Sequence, residues 1–426
     1  MKDIAPLAHG LDATIVAPPS KAHTLRAIFI SALASGISRI AKPLYAQDQL
    51  VAIEAMRKFG AVMELEDSSL TVEGTGREME VPSQVHAGNS GVSMRFLCPI
   101  AGLAGKGGER ILIDGSGRMR QRPVGDLLEA LGKLGGGARS IHGNGCPPVE
   151  IMGRSLRGGT AAVDCSKSSQ FASALLLALP LAPENSELEL AGNLSSRPYV
   201  GITLDMAEKF GAKIARGDDG RDFSIGGGQS YSGRDFAIEG DYSSAVFFFQ
   251  AAAISGGRVR VEGLVGNSLQ ADAHALPLLE RMGCEVKRNG HSVEVTGPEE
   301  LKPLDADLSD CPDASVTLAV ACAFAGGKSK LRGLENLRLK ESDRLQVLSE
   351  GLNAIGAMTV VTPDGLEISG NRKRIRGAAI NPHDDHRIAM AFSIAGLAAK
   401  GMAIENPECV KKSFPSFFEE MEKLRG

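Results

Sequence analysis

The segment RKFGAVMELEDSSLTVEG, residues 57–74, contains the pattern that decides the fold. It reads as the last turn of an amphipathic helix ending at Gly60, then a strand, a polar turn and a second strand. The pattern recurs four more times, with its helix-ending glycine at Gly135, Gly211, Gly283 and Gly356. The glycines are 75, 76, 72 and 73 residues apart, which indicates an internal structural repeat.

A second pattern lies between these copies. It consists of a helix of small and apolar residues, a glycine-rich or polar turn, and a strand. Its six copies begin near Thr24, Val92, Ser169, Ser243, Ala314 and Arg387. A helix that is apolar on every side is buried, whereas an amphipathic helix faces solvent on one side. The chain therefore reads as six units of strand–helix–strand–helix–strand–strand.

The two ends of the chain complete each other in this scheme. The sixth amphipathic helix, Pro415–Leu424, has no strands after it, and the N-terminal strand Ala13–Ala17 is left over. We expect that first strand to complete the last unit. Because one hydrophobic core stops growing at about 300 residues, the fold class predicted for the 426-residue chain is α/β with two domains of three repeats each.

Composition excludes several classes of protein. The net charge of −4 and 4% aromatic content argue against a nucleic-acid partner, which needs basic patches and stacking platforms. The apolar runs are shorter than the ~20 residues of a membrane span, so no membrane partner is expected. Seven cysteines, odd in number and without a C-x-x-C pair, predict reduced thiols in a cytoplasmic protein.

Basic residues repeatedly stand where helices begin, although the helix dipole disfavours cations there. They are interleaved with the cap-type residues Asn89, Ser90, Ser168, Ser169, Ser196, Asp241, Asp313 and Asp385. The basic residues are Lys21, Arg26, Arg95, Arg118, Arg120, Arg122, Arg197, Lys340, Arg344, Arg387 and Lys412. Anions bound between helix starts and basic side chains would account for this arrangement, as in phosphate sites.

Other phosphate and metal motifs are incomplete. The segment beginning at Gly115 has Arg120 in place of the last glycine of a dinucleotide-binding loop, and Cys322 stands where a P-loop needs glycine. His383 and His386 could share one face of a helix start, but no third ligand group of matching type is evident. We therefore expect no metal and no cofactor.

Ten segments, in order along nearly the whole chain, resemble those of the 5-enolpyruvylshikimate-3-phosphate synthase family of enolpyruvyl transferases. They are PPSKAHTLR (18–26), GNSGVSMRFL (88–97), GSGRMRQRPVGDLLEAL (115–131), SSQFASALL (168–176), SRPYVGITL (196–204), EGDYSSAVFF (239–248), PDASVT (312–317), NLRLKESDRL (336–345), DDHRIAMAF (384–392) and KSFPSFFE (412–419).

The resemblance implies an inside-out α/β barrel in each of two domains, built from six βαβαββ repeats. One domain would be 21–239 and the other 1–20 with 240–426, with the active site in the cleft between the domains. It implies transfer of the enolpyruvyl group of phosphoenolpyruvate to the 5-hydroxyl of shikimate 3-phosphate, with release of phosphate. No cofactor is implied, and a monomer is expected.

The resemblance also implies three groups of site residues. The catalytic residues would be Asp313, Glu341 and Lys21. The residues binding shikimate 3-phosphate would be Lys21, Arg26, Ser168, Ser169, Gln170, Ser196, Tyr199, Asp313, Asn336 and Lys340. The residues binding phosphoenolpyruvate would be Lys21, Asn89, Gly91, Arg118, Gln170, Arg344, Arg387 and Lys412.

Three positions depart from the family pattern, and other functions remain open. Ala22 stands where a serine that contacts substrate is usual, with His23 or Thr24 as a replacement, while Val92 replaces threonine and Phe96 replaces proline. One alternative is the enolpyruvyl transferase acting on UDP-N-acetylglucosamine, although the loop near position 115 has no cysteine. Others are a non-catalytic paralogue that binds phosphorylated metabolites and an RNA-end-processing enzyme with related repeats.

Overall fold

The computed structural model describes residues 1–425. The first twenty residues contain the strands β1 (Lys2–Ile4) and β2 (Asp12–Val16). Residues 21–238 form α1 (Lys21–Leu33), β3 (Ser35–Ala41), α2 (Gln47–Lys58), β4 (Val62–Leu65), β5 (Ser69–Thr75), β6 (Gln84–His86), α3 (Gly91–Leu103), β7 (Arg110–Asp114), α4 (Gly125–Lys133), β8 (Ala138–Ser140), β9 (Val149–Met152), β10 (Gly159–Asp164), α5 (Gln170–Ala178), β11 (Ser186–Ala191), α6 (Pro198–Lys209), β12 (Ile214–Arg216), β13 (Asp222–Ile225) and β14 (Asp235–Ala237).

The rest of the chain forms a second series of the same kind. It consists of α7 (Tyr242–Ser255), β15 (Arg258–Glu262), α8 (Ala275–Arg281), β16 (Glu285–Asn289), β17 (Ser292–Thr296), β18 (Asp305–Asp307), α9 (Ser315–Phe324), β19 (Gly327–Arg332), α10 (Arg344–Ala354), β20 (Met358–Thr362), β21 (Gly365–Gly370), β22 (Ala379–Ile380), α11 (His386–Gly396), β23 (Met402–Ile404) and α12 (Phe417–Glu422).

The chain divides into two compact units. One is Lys21–Ile238, and the other is Met1–Ser20 together with the chain from Glu239 onward. Glu239 was expected in the first of these and lies in the second. Its backbone oxygen accepts a hydrogen bond from the Ser20 N–H at 2.7 Å, and its carboxylate accepts one from the Gln270 amide at 2.7 Å.

Each repeat builds one sheet. In the 21–238 unit the strand orders are β14-β3-β5-β4, β6-β7-β9-β8 and β10-β11-β13-β12. In every case the first two strands are parallel, and the last two form an antiparallel hairpin. The predicted βαβαββ unit is confirmed, and β14 from the end of this segment supplies the first strand of its first repeat.

The second unit closes differently from the prediction. Its sheets are β2-β15-β17-β16, β18-β19-β21-β20 and the three-stranded β22-β23-β1. The expectation that the strand at Ala13–Ala17 completes the last repeat is wrong, because β2 pairs in parallel with β15 and opens the fourth repeat. The last repeat is completed by Lys2–Ile4, which pairs antiparallel with Met402–Ile404.

The small-residue helices form the core of each unit. The helices α7, α9 and α11 pack on one another, and α3 packs on both α1 and α5. In α7 every residue from Tyr242 to Ile254 is buried, as predicted for a helix that is apolar all round. The sheets lie outside these helices, which confirms the predicted inside-out α/β arrangement. Among residues 1–425, no helix combines the length and the apolar character needed to span a membrane.

Two kinds of glycine explain the glycine-rich composition. The predicted helix-ending residues Gly60, Gly135, Gly211, Gly283 and Gly356 all have positive φ, from 84° to 102°. Other glycines lie at or after the last strand of a repeat, where the carboxyl end of a buried helix approaches. A Cβ atom at Gly74, Gly153, Gly297 or Gly370 would lie under 3.0 Å from a backbone oxygen of Ala34, Ala104, Ala252 or Cys322, respectively.

We expect Gly74→Ala to destabilise the 21–238 unit by about 1–3 kcal/mol, because the added methyl group forces backbone apart at both Ala34 and Ser31. The measurement is the free energy of unfolding in urea. Gly132→Ala is the matched control, since this helical position has nothing within 4 Å of a new Cβ. The free energy of unfolding of the control should rise by up to ~1 kcal/mol, because alanine has a higher helix propensity than glycine. Equal stability of the two variants would contradict the packing argument.

Candidate functional site

Arg344 joins three carboxylates in the second unit. It is the first residue of α10, and its side chain is 1% exposed. Its Nη1 donates to Asp313 Oδ1 at 2.8 Å, its Nη2 to Glu341 Oε2 at 2.9 Å, and its Nε to Asp385 Oδ2 at 2.7 Å. One guanidinium therefore fixes both carboxylates that the sequence analysis named as catalytic.

Two further cations contact the same carboxylates. Arg387 Nη2 lies 2.9 Å from Asp313 Oδ2, and Lys412 Nζ lies 3.6 Å from Glu341 Oε1. All four side chains are largely buried, so these ion pairs are weakly screened by solvent. Each carboxylate thus has one oxygen on Arg344 and the other on a second cation.

This environment sets the ionisation of Asp313. Burial alone would raise its pKa, but Arg387, Arg344 and Lys340 together hold the pKa well below its usual range, against an opposing effect of Glu341. Asp313 is therefore a carboxylate at neutral pH and can accept a proton. Burial also acts against the charge of Arg344, yet the three carboxylates around it raise the pKa of its guanidinium.

Helix caps place these groups. Asp385 is the N-cap of α11 and accepts a hydrogen bond from the Arg387 N–H at 3.0 Å, and its carboxylate also accepts from Arg344 and from the Ser342 hydroxyl. Asp343 caps α10 by accepting from the Gln346 N–H at 3.2 Å. A cap fixes the position of the first turn of its helix. The caps of α10 and α11 therefore fix Arg344 and Arg387, which lie in those first turns and come from separate repeats.

Asn336 and Lys340 lie at a short helical turn beside this cluster. The 3₁₀ turn Glu335–Leu339 contains Asn336, which is 4% exposed, and Lys340 follows as its C-cap. Their positions agree with a role next to Asp313, whose pKa Lys340 lowers.

Asp272 is a buried carboxyl of this site that the sequence analysis did not identify. It lies in the 3₁₀ turn Ala271–His274 and is fully buried. Its Oδ1 accepts a hydrogen bond from the Ala314 N–H at 3.0 Å, and its Oδ2 accepts one from the Ser243 hydroxyl. It therefore links the starts of α7 and α9 beside Asp313. Its position before α8 gives no sign of this role, and only its hydrogen-bond partners identify it.

The start of α1 carries the site residues Lys21 and Arg26 of the 21–238 unit. Lys21 Nζ pairs with Asp48 at 2.7 Å. Arg26 is 2% exposed and makes four hydrogen bonds, which use four of its five N–H donors. Its acceptors include Thr203 Oγ1 at 2.7 Å and the Tyr199 backbone oxygen at 3.0 Å. Burial lowers the pKa of Arg26 to about 10, so it stays protonated.

The start of α3 is surrounded by guanidinium groups. A Cβ on Gly91 would lie under 3.0 Å from guanidinium nitrogens of both Arg95 and Arg122, so a larger residue would have to displace these groups. The loop carrying Arg118 is held to the residue before Asn89, because the Ser116 N–H donates to the Gly88 oxygen at 2.8 Å. The structure therefore places the loop of Arg118 next to the segment that contains Asn89 and Gly91, and the guanidinium groups of Arg95 and Arg122 lie beside Gly91.

The starts of α5 and α6 carry the remaining polar residues. Ser168 accepts a hydrogen bond from the Gln170 N–H at 3.2 Å, and Ser169 is buried beside it. The Oε1 atom of Gln170 is buried without a hydrogen-bond partner among the described residues, so it can accept from a bound hydroxyl. Ser196 has φ of 59°, a strained conformation that turns the chain just before Tyr199 and α6.

His23, Thr24 and Phe96, at or beside the positions that depart from the family pattern, are buried in the core of the unit. Thr24 is fully buried and its hydroxyl accepts the Leu44 N–H at 3.2 Å. His23 is buried, which together with Arg26 and Lys209 lowers its pKa to about 3. Phe96 is buried with its ring 5.7 Å from the Arg26 guanidinium. These contacts give His23 and Thr24 structural roles next to Ala22.

The segment His383–His386 serves as a helix start. His383 is exposed, His386 is buried, and Asp385 between them caps α11. Over residues 1–425, no group of three or more histidine, cysteine, aspartate or glutamate side chains is arranged to hold a metal ion. The described site is instead rich in buried arginines, which suits anionic ligands.

We expect Asp272→Asn to change stability only at higher pH. Burial and the nearby Asp313 charge raise the pKa of Asp272 to about 6, against about 4 in an unfolded chain. Ionised Asp272 therefore costs stability above pH 6, by about 3 kcal/mol, and this cost disappears as the pH falls towards 4. The asparagine variant should be more stable than the wild type by up to that amount at pH 7–8, and equal near pH 4.

The measurement is urea unfolding of both proteins across this pH range. Asparagine can still accept the Ala314 N–H and can donate to Ser243, so the hydrogen bonds are kept. Asp310→Asn removes a carboxylate from an exposed turn nearby and is the control. A stability difference for Asp272→Asn that is independent of pH would contradict the argument.

Comparison with known proteins identifies the family of the chain. The sequence profile of EPSP synthase (3-phosphoshikimate 1-carboxyvinyltransferase) matches residues 8–421. The 3-phosphoshikimate 1-carboxyvinyltransferase of Methanoculleus marisnigri is 43% identical over 411 residues, 96% of each chain, and that of Syntrophobacter fumaroxidans is 40% identical over all 426. The EPSP synthase structure from Acinetobacter baumannii superposes with a TM-score of 0.82 at 28% identity, covering 99% of this chain and 97% of that one. The chain therefore belongs to the EPSP synthase family.

Proposed function

We propose that the protein transfers the enolpyruvyl group of phosphoenolpyruvate to the 5-hydroxyl of shikimate 3-phosphate and releases phosphate. The observation that carries this proposal is the buried Arg344, which binds the acid–base candidates Asp313 and Glu341 at once. Family membership supports the same reaction, since the relatives are named for it. The product is an intermediate of aromatic amino-acid biosynthesis.

The charge of the substrates explains the number of cations. Each substrate carries a phosphate and a carboxylate, about three negative charges at neutral pH, and the two must be held close enough to react. We propose that residues from both units bind the two substrates. For phosphoenolpyruvate these are Lys21, Asn89, Gly91, Arg118, Gln170, Arg344, Arg387 and Lys412. Cations that surround both anions reduce their mutual repulsion.

The shikimate 3-phosphate site draws on a second set of residues. We propose Lys21, Arg26, Ser168, Ser169, Gln170, Ser196, Tyr199, Asp313, Asn336 and Lys340. Two details support this set. The Oε1 of Gln170 needs a donor such as a hydroxyl of the ring, and Arg26 keeps one N–H for a substrate oxygen.

The reaction is an addition followed by an elimination. The 5-oxygen forms a bond to the central carbon of phosphoenolpyruvate, and its proton passes to Asp313, with Lys21 close to the same oxygen. Glu341 has to carry a proton for this step, so we propose that it is protonated once the anionic substrates compete for Arg344 and Lys412, and that it gives this proton to the methylene carbon, which becomes a methyl group. The bond to phosphate then breaks, Glu341 removes a methyl proton to restore the double bond, and the proton on Asp313 leaves with the phosphate. The role of Asp313 follows from its surroundings, which hold it ionised, and the role of Glu341 follows from the family resemblance.

We propose that the protein works in the cytoplasm as a monomer, with no nucleic-acid or membrane partner. The seven cysteines support this location, since all of them are free thiols and five are buried.

The assay that tests the function measures phosphate release from phosphoenolpyruvate. We expect release only when shikimate 3-phosphate is present. Release with UDP-N-acetylglucosamine instead would establish the alternative transferase, and release with neither would indicate a paralogue that binds phosphorylated metabolites without reacting. Either result would overturn the proposal.

We expect Asp313→Asn and Glu341→Gln each to reduce turnover by ~10²-fold or more, because each removes one partner of the acid–base pair. Binding of shikimate 3-phosphate, measured by calorimetry, should persist in Glu341→Gln. Glu350→Gln, at an exposed position of α10, is the matched control and should keep full turnover. Near-normal turnover in either site variant would refute its role.

A further inference from the structure

A cavity of about 200 Å³ lies in the 21–238 unit, away from the residues described above. It is formed where the three repeats of this unit converge. The first repeat contributes Arg77 after β5, the second Arg154 and Arg157 after β9, and the third Leu181 after α5. Leu103, the last residue of α3, also lines it. Because α3 rises 1.5 Å per residue, this end lies about 18 Å from Gly91 at its start.

The cavity has an excess of positive charge. Among the described residues that line it there are three arginines and no aspartate or glutamate. Arg157 is paired with Glu184 at 2.6 Å. Arg77 donates only to the backbone oxygens of Gly228 and Gln229, and Arg154 only to that of Gly105, so neither has a carboxylate partner among residues 1–425. Both keep guanidinium donors for an anion.

The backbone conformation of Arg154 adds a second observation. Its φ is 51°, in the left-handed region that is unfavourable for an arginine. Basic residues also occur in the equivalent connections, such as Arg234 after β13 and Lys302 after β17, but neither has a positive φ. Among the non-glycine residues with positive φ in residues 1–425, Arg154 is the one that lines this cavity.

The remaining lining is apolar. Met79, Leu103, Leu156, Leu181 and Pro183 surround the space below the arginines. A cavity of ~150 Å³ lined by aliphatic residues is large enough for benzene, so this one accommodates a ring or a branched alkyl group with a small polar head. An inorganic anion would leave the apolar lining uncovered, and a neutral hydrocarbon would leave the exposed Arg77 and Arg154 without an anionic partner.

We propose that this cavity binds a small carboxylate with a compact apolar body, such as an aromatic acid. The carboxylate contacts Arg77 and Arg154, whose planar guanidinium groups suit two parallel hydrogen bonds. The apolar body contacts Met79, Leu156 and Leu181. The site is separate from the substrate residues, and its existence does not depend on the function proposed above.

Phenylacetate is the probe, with phenylacetamide and acetate as matched controls. The full-length protein carries ¹³C-methyl methionine, and the Met79 signal, assigned with Met79→Leu, reports binding. We expect saturable binding of phenylacetate. Phenylacetamide, which lacks the charge, should bind at least about tenfold more weakly, and acetate should leave the Met79 signal unchanged.

Variants locate the binding. Arg77→Gln and Arg154→Gln should each weaken phenylacetate binding by about tenfold or more while phosphate-release activity is kept. Arg118→Gln, in the loop next to the start of α3, should not change the affinity for phenylacetate. Absence of a Met79 shift up to about 10 mM, equal binding of the amide, or unchanged affinity in both arginine variants would each overturn the proposal.

Discussion

A helix buried around its whole circumference has only its two ends left for polar groups, and this constraint organises the molecule. Each end carries backbone groups without partners inside the helix. At the carboxyl ends, the strand glycines Gly74, Gly153, Gly297 and Gly370 let a neighbouring backbone approach helix carbonyls closer than any side chain would permit. At the amino ends, the side chains of Ser90, Asp241 and Asp385 accept hydrogen bonds from backbone N–H groups in the first turn of their own helices. The cations that the dipole disfavours there are tolerated because carboxylates, or anionic substrates, lie beside them.

The carboxylate cluster on Arg344 illustrates the cost of such a site. Burying ions is expensive unless each charge is paired and hydrogen-bonded. Arg344 meets this condition with three carboxylates, and Arg387 and Lys412 balance the oxygens that remain. The pairing also sets the charge of Asp313, because it holds the pKa of this carboxyl well below its usual range. Any anionic ligand of these cations has to compete with the ion pairs, which favours a ligand that carries as much negative charge as a phosphate ester.

Periodicity in the sequence predicted the repeats, the buried helices and the positive φ at residues such as Gly60, because these features depend on local pattern. The basic and cap-type residues at helix starts also pointed to Asp313 and Arg344, whereas Glu341 was identified only through the family resemblance. Periodicity failed at the N-terminus, where Lys2–Ile4 is too short to show a pattern and its partner is 400 residues away. Asp272 was missed for the same reason, because Ser243 and Ala314 reach it from distant parts of the chain. Contacts of this kind are decided by packing and not by local propensity.

The first two strands to be synthesised belong to sheets whose other strands are synthesised much later. Strand β2 pairs with Arg258–Glu262, and β1 pairs with Met402–Ile404, so both are synthesised long before their partners. At ~5–20 residues per second, the first twenty residues wait roughly 10–50 s for β15. Meanwhile Lys21–Ile238 holds all the strands of its own sheets and can fold. Until then β1 and β2 have no strand to pair with, and the prolines at positions 6, 18 and 19 disfavour their pairing with strands of other chains.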